Sequence, residues 1–462
     1  MQARSNRTER ADVVIAGAGI AGISTAYHLS VRNGVEKVRV CDPLPPLTLT
    51  SDKSTECYRN WWPGPGSGMV DLMNRSIDLL EEWAAESGNI FNLSRRGYLY
   101  VTADPDRLAG MRSESEAISA LGGGELRVHL GRPGDPPYTP AQAIGYESAP
   151  AGADLFMDGT ALRTHYPHLS PAVAGGLHAR RAGWFSAQQL GAWLLEQARA
   201  AGVELTTDRV VGVEESEGTV KAVRLQSGGS IATRHFVNAA GPLIGEVGQL
   251  AGVDLPVFSE VHRKVSFRDS FSALPRSAPM LIWNDEQTLD WSDDERSELS
   301  SDAHLAHLTD RLGPGAHCRP EGSDEAATVL GLWEYHPEVR TPTFPIPADP
   351  LYPEIVMRGL TTMVPDFGKY LQRLPKTHVD GGYYTKTKEN RPLIGPAGPE
   401  GSVVVGALSG YGVMAAAAAG ELGALHVTGA PLPAYARWFR PDRYADPEYL
   451  ELLGRMTDSG QI

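Results

Sequence analysis

The run Gly17-Ala18-Gly19-Ile20-Ala21-Gly22 follows directly on the apolar stretch Val13-Val14-Ile15 and opens a segment with Ile20, Ile23 and Tyr27 at helical spacing. Few sequence features constrain a chain more. The first glycine permits a tight turn, the second lets backbone approach a pyrophosphate, and the third lets helix and strand pack closely. Lys37 to Asp42 reads as the next strand, so residues 12–42 form a βαβ unit and the sheet they start is parallel. A phosphate at this turn meets the positive end of the helix dipole and its free N–H groups. Asp42 ends the second strand, where an acid accepts hydrogen bonds from ribose hydroxyls and disfavours the ribose phosphate of NADP.

The same logic recurs from Gln188: a helix carrying Leu190, Trp193, Leu194 and Ala198, then β-rich stretches at 203–214 and 219–225, a Gly228-Gly229 turn, and Ile231 to Ala240. Between and after these halves lie a Pro/Gly-rich loop (130–152), alternating segments (257–268 and 327–336) and an acidic stretch (284–302), the last read as a solvated insertion bearing a helix. The expected organisation is therefore discontinuous. A dinucleotide-binding domain takes 11–100, 151–250 and 380–430. A substrate domain takes 101–150 and 251–379, with 1–10 as a flexible tail and 431–462 as a C-terminal extension.

Composition narrows the partners. With 42 basic and 56 acidic residues the formal charge is -14 and no basic patch stands out, so neither nucleic acid nor an anionic membrane surface is an expected partner. The three cysteines are too far apart for a disulfide framework or a zinc cluster, and no metal site is expected. No run approaches the roughly 20 apolar residues of a membrane span, and the first ten residues lack the apolar core of a secretory signal. A cytoplasmic protein is expected.

A second glycine-rich turn lies near the end. Gly401 to Leu408 reads as a strand and Val413 to Val427 as an alanine-rich helix, with Gly410-Tyr411-Gly412-Val413-Met414 at the helix start. Backbone N–H groups there suit the pyrimidine end of an isoalloxazine, where reduction places negative charge. Gly241, closing Phe236-Val237-Asn238-Ala239-Ala240, lets that strand turn beneath the same cofactor.

Taken in order, VVIAGAGIAGISTAYHL, HFVNAAGPLIGEVGQLAG, YYTKTKENRPLIGP and GALSGYGVMAAAAAGEL resemble the D-amino-acid oxidase superfamily of flavoproteins, in its glycine oxidase, sarcosine oxidase and dimethylglycine dehydrogenase branch. The resemblance covers most of residues 12–430. It implies an α/β fold: a Rossmann-like FAD-binding domain and a substrate domain on a mixed, largely antiparallel sheet that roofs the flavin. It also implies noncovalent FAD held by Gly17, Gly19, Ile20, Gly22, Asp42, Val211, Gly241, Gly395, Gly410, Tyr411, Gly412, Val413 and Met414. The implied reaction is hydride transfer from a C–N bond of a small amine or amino acid, with hydrolysis of the imine and oxygen or another acceptor taking the electrons.

By the same resemblance Arg59 is the carboxylate-binding arginine, Tyr384 a tyrosine over the flavin and His336 an active-site histidine. Thr55 matches the family threonine near Arg59. Four departures stand out: Met414 stands in place of one family lysine and Leu332 near the position of another, Gly382 replaces the cysteine that tethers flavin in some members, and Glu56 sits where a basic residue is expected. Lys386, two residues beyond Tyr384, is the expected substitute for the lost positive charge. Trp61-Trp62 reads as either a pocket wall or a loop packed on the core, and Cys57 as a buried small hydrophobe. A flavin hydroxylase or NAD-linked dehydrogenase, and a non-catalytic flavoprotein acting in assembly, are the alternative readings on the same fold.

Overall fold

Every residue of the Val13–Ala16 strand is buried, and it runs parallel between Val38–Cys41 and His235–Asn238. The computed structural model describes residues 9–142, 144–322 and 326–456. Within them the strands order as 204–206, 38–41, 13–16, 235–238, 402–406 and 393–396, parallel except for the last pair. Parallel neighbours demand long crossovers, so everything else in the chain is built on the excursions between these strands. The helices Ile20–Tyr27, Gly68–Ser87, Ala187–Ala200 and Gly412–Thr428 share one core with this sheet. Small residues let the first and last of them touch: a Cβ on Gly420 would lie 2.4 Å from Ser24 Oγ.

The second sheet has nine strands, in the order 377–386, 258–268, 328–332, 317–321, 280–283, 98–102, 175–179, 153–156 and 126–129. It is antiparallel except for two parallel pairs, 280–283 with 98–102 and 126–129 with 153–156. Alternation sorts its side chains. Leu281, Trp283, Cys318 and Val329 join the Tyr352–Met363 helix on one face, while Met280 and Ile282 join Cys57 and Tyr98 on the other, toward the dinucleotide sheet.

The strands 153–156 and 175–179 belong to this second sheet, although the sequence reading put 151–250 in the cofactor domain. Sheet membership likewise gives it 98–102 and 377–386, and we propose that the domain boundaries be redrawn accordingly. The acidic stretch lies beside the Tyr352–Met363 helix. Its helix, Asp293–Ser301, starts with a capping box between Ser292 and Glu295, and Arg358 joins it to its neighbour through Glu295 (2.7 Å) and Glu354 (2.8 Å) while lying over the Trp291 ring.

Of the expected tail, Glu9–Arg10 pairs with Ser230–Ala232 and residues 1–8 lie outside the described residues. Of the C-terminal extension, 431–456 are among the described residues and include the helix Pro447–Gly454. It is pinned by Arg443, buried with Glu389 at 2.7 Å. Among the described residues no helix is long and apolar enough to cross a membrane.

Candidate cofactor and substrate site

A cavity of about 560 Å³ runs along the carboxyl ends of the parallel strands, where open α/β sheets bind nucleotides. It is walled by the Gly17–Ala21 turn, Asp42 to Ser54, Val211, Ala239 to Leu243, Tyr383 to Thr385 and the 405–413 turn. Gly17 has φ +109, and a Cβ there would fall 2.3 Å from the Ala239 carbonyl oxygen, so only glycine closes this turn. Asp42 accepts the Ala18 N–H (2.8 Å) and the Leu44 N–H (2.8 Å), which ties the carboxylate to the turn it faces. The Ile20–Tyr27 and Gly412–Thr428 helices both begin without a side-chain cap, at residues that line this one cavity. Two helix starts on one cavity, the first with its Ile20 N–H held by Ser51 Oγ, suit a ligand with a pyrophosphate at one end and a ring gaining negative charge at the other.

Gly17, Gly19, Ile20, Asp42, Val211, Gly241, Gly410, Gly412 and Val413 all line the cavity. Four other residues expected there have different places. Gly22 lies behind the turn, where a Cβ would meet the Gly17 oxygen at 2.0 Å, and so serves helix packing. Gly395 packs on His426 of the Gly412–Thr428 helix and on Arg440 and Pro441 of the C-terminal extension. Tyr411 is buried, with its hydroxyl donating to the Asn390 carbonyl at 2.7 Å and its ring set edge-on to Trp62. Met414 is buried in its helix, where its carbonyl accepts from Ser76 Oγ.

Above the cavity the nine-stranded sheet presents a row of polar side chains. Arg59, 4% exposed, donates from Nη1 to the Tyr100 hydroxyl at 2.7 Å and lies over the Trp62 ring, 4.4 Å from its centroid. Trp62 is therefore a wall for the guanidinium. His317 donates from Nδ1 to the Gly315 carbonyl at 2.6 Å. Burial holds this imidazole near pKa 4, against the opposing pull of its hydrogen bond to Gly315, so it stays neutral. His262 stacks on Tyr384 with ring centroids 3.8 Å apart. Its Nε2 is 3.4 Å from Glu260 and its Nδ1 3.9 Å from Glu334. Burial pushes His262 below the usual histidine value, against the pull of Glu260. Burial also raises Glu334 to about 8, opposed by the charge of Arg263 and reinforced by Glu260. Lys386 pairs with Glu260 at 2.6 Å.

The expected active-site histidine is displaced. His336 is exposed and its ring lies 4.5 Å from that of His307, because the strand ends at Leu332 and the chain turns outward before reaching it. His262 occupies the roof instead. The signal was present in the alternation Glu260, His262, Lys264 within the 257–268 segment, which places three ionisable groups on one face of a strand. Glu56 is also not a cavity group: its carboxylate accepts the Ala187 N–H at 2.8 Å. Gly382 is packed on Thr50, where a Cβ would sit 3.1 Å from Thr50 Cα and Oγ1, a tight contact that Thr50 would have to relieve by a small shift.

The family model described as FAD dependent oxidoreductase matches residues 12–424. The chain belongs to this family. Among curated relatives of this FAD-dependent oxidoreductase, mitochondrial dimethylglycine dehydrogenase of Homo sapiens is 24% identical over 426 residues, covering 91% of this chain and 43% of that protein. The chain thus spans less than half the length of the curated relatives it matches. Of solved structures, L-proline dehydrogenase from P. horikoshii superposes with a TM-score of 0.72 at 19% identity, covering 95% of this chain and 98% of that one. Glycine oxidase from Geobacillus kaustophilus gives 0.68 at 17%, covering 92% and 96%. These likenesses carry the fold, and the family to which the chain belongs is FAD-dependent.

Proposed function

We propose that this enzyme oxidises the C–N bond of a small amine or amino acid that carries a carboxylate, releasing an imine that water hydrolyses. The observation that carries the reading is the buried Arg59 guanidinium, which comes from the separate strand pair 57–59 and 182–184 and meets Tyr100 of the nine-stranded sheet, the sheet that also carries His317, His262 and Tyr384. FAD bound in the cavity supplies the two-electron acceptor for hydride leaving the carbon beside nitrogen.

The protein's part is binding and proton control. Arg59, 4.4 Å from the Trp62 ring centroid and bonded to Tyr100, supplies the planar cation that suits a two-point contact with a carboxylate. A carboxylate fixed at Arg59 sets the substrate carbon within the polar row. The neutral imidazole of His317 accepts hydrogen bonds without adding positive charge. His262, between Glu260 and Glu334, offers a buried site able to take the proton that an ammonium must lose before hydride can leave. Tyr384, stacked on His262 and packed on Gly410, closes the space between roof and ring system. The relatives named above include enzymes acting on dimethylglycine, proline and glycine, each a small amine with a carboxylate, which agrees with this reading.

The test is anaerobic stopped-flow mixing of the yellow protein with a panel of N-methyl, cyclic and D-amino acids. Bleaching of the flavin by a carboxylate-bearing member is expected. Arg59→Ala should keep its FAD and bind that substrate more weakly by about 2–4 kcal/mol. Equal affinity in the variant for every carboxylate-bearing compound would move the anchor elsewhere.

A further inference from the structure

The loop that enters the Cys57–Arg59 strand is held by two cations from the opposite sheet. Lys264, paired in register with Asp380, donates from Nζ to the Ser54 carbonyl at 3.0 Å and the Asp52 carbonyl at 3.3 Å. Arg319, 1% exposed, donates from Nε (3.0 Å) and Nη2 (2.7 Å) to the Thr55 carbonyl. Three carbonyls within four residues thus end on side chains of the nine-stranded sheet. The near side of the same loop faces the cofactor. Ser51 Oγ accepts the Ile20 N–H at 3.1 Å, at the first turn of the dinucleotide helix, and Thr50 Oγ1 donates to the Tyr383 carbonyl at 3.1 Å. Thr50, Ser51 and Ser54 line the cavity, and Arg59 follows only a few residues on.

Packing alone does not require this arrangement, because a buried loop carbonyl is satisfied by any neutral donor and a buried cation is costly unless well coordinated. Arg319 also has carboxylate partners, Glu321 at 2.6 Å and Glu56 at 3.9 Å, yet both of its bonds to the loop go to backbone. Charge-assisted bonds to backbone are strong and fix main chain rather than a mobile side chain.

We propose that Lys264 and Arg319 are positioning residues that set, through one loop, both the cofactor contact at Ser51 and the placement of Arg59, so that FAD binding and carboxylate binding are coupled across the two sheets. The second half of this statement rests on the reading of Arg59 as the carboxylate anchor. The first half does not.

The experiment uses the full-length holoprotein with benzoate as an amine-free carboxylate probe, read by perturbation of the flavin spectrum, and FAD affinity from reconstitution of the apoprotein. Lys264→Met, which keeps the chain length but loses the donors, is expected to weaken FAD and, once FAD is saturating, benzoate as well, each by roughly tenfold. Lys264→Arg is expected to recover most of both losses, which a general packing defect would not allow. Should Lys264→Met not fold, Arg319→Lys, which preserves charge but loses the fork on Thr55, is expected to show the same paired loss to a smaller degree. Wild-type affinities for FAD and benzoate in these variants would overturn the proposal. Loss of FAD affinity alone, with normal benzoate binding at saturating FAD, would overturn the coupling. Failure of the Arg59 reading is separately visible, as unchanged benzoate affinity in Arg59→Ala.

Discussion

The imidazole of His262 lies almost flat against the phenol ring of Tyr384, at an interplanar angle of 14°. The two residues come from neighbouring antiparallel strands, and Tyr384 is directly paired with Glu260 rather than with the histidine. The stack is therefore a diagonal contact across the ladder, within reach of aromatic side chains. Tyr384→Phe should preserve it, leaving FAD content and melting temperature unchanged. His262→Ala should retain FAD and slow anaerobic flavin reduction by about 10²-fold, the scale of a lost proton-transfer group. A His262→Ala enzyme reduced by substrate at the wild-type rate would remove this residue from the chemistry.

Glu334 predicts a pH dependence of stability with a definite sign. Its carboxyl is raised from the ordinary 4.5 to about 8, so below pH 4.5 it is protonated in both folded and unfolded chains. Between pH 4.5 and 8 the unfolded chain gives up the proton while the folded one keeps it, and stability falls as pH rises. The loss is bounded by about 5 kcal/mol. Glu334→Gln removes it, so thermal melts at pH 5 and pH 8 should show the variant gaining on the wild type at the higher pH. A wild-type advantage that grows with pH would contradict the assignment.

At the dinucleotide turn the severity of two substitutions should differ. Gly17→Ala forces a Cβ onto the Ala239 oxygen at positive φ, and destabilises the fold by at least about 1–3 kcal/mol as well as abolishing cofactor binding. Gly19→Val meets only Ser51 Oγ, at 3.3 Å from the Cβ, so the protein should fold but remain colourless. Circular dichroism and flavin absorbance, measured on both, separate the two effects. In the wild type, acid precipitation should release intact FAD to the supernatant; flavin retained in the pellet would mean a covalent bond.

Lys386 reads in the sequence as a positive charge available to the flavin, but its ion pair with Glu260 leaves little net field for an oxygen-derived anion. Lys386→Met should accordingly change the bimolecular rate of reduced enzyme with oxygen by less than about threefold. A tenfold slower reoxidation would restore the lysine to the oxidative half-reaction.

What the sequence made legible follows from how local each signal is. The Gly17–Gly22 turn and the 410–413 turn are short-range features whose spacing determines their backbone, and they land on the same cavity. Gly395 was misplaced because a glycine in a strand looks the same whether it approaches a cofactor or another helix. His336 lies away from the cavity for a different reason. A motif carries a residue's role only while the strand continues, and here the strand stops at Leu332. Which histidine faces the site depends on register with a strand more than a hundred residues away, 377–386, and no local pattern encodes that pairing.

The order of strands in the dinucleotide sheet has a consequence for how the protein is made. The strand at 13–16 emerges first, but its neighbour 235–238 must wait for the intervening excursion, and 402–406 packs beside 235–238 only after a second excursion of similar kind. The turn at 410–413 and the Arg443–Glu389 clasp come later still. The first glycine turn is therefore made on an incomplete sheet. A cofactor that needs both turns meets its full binding surface only after the 410–413 turn has joined the strands laid down before it.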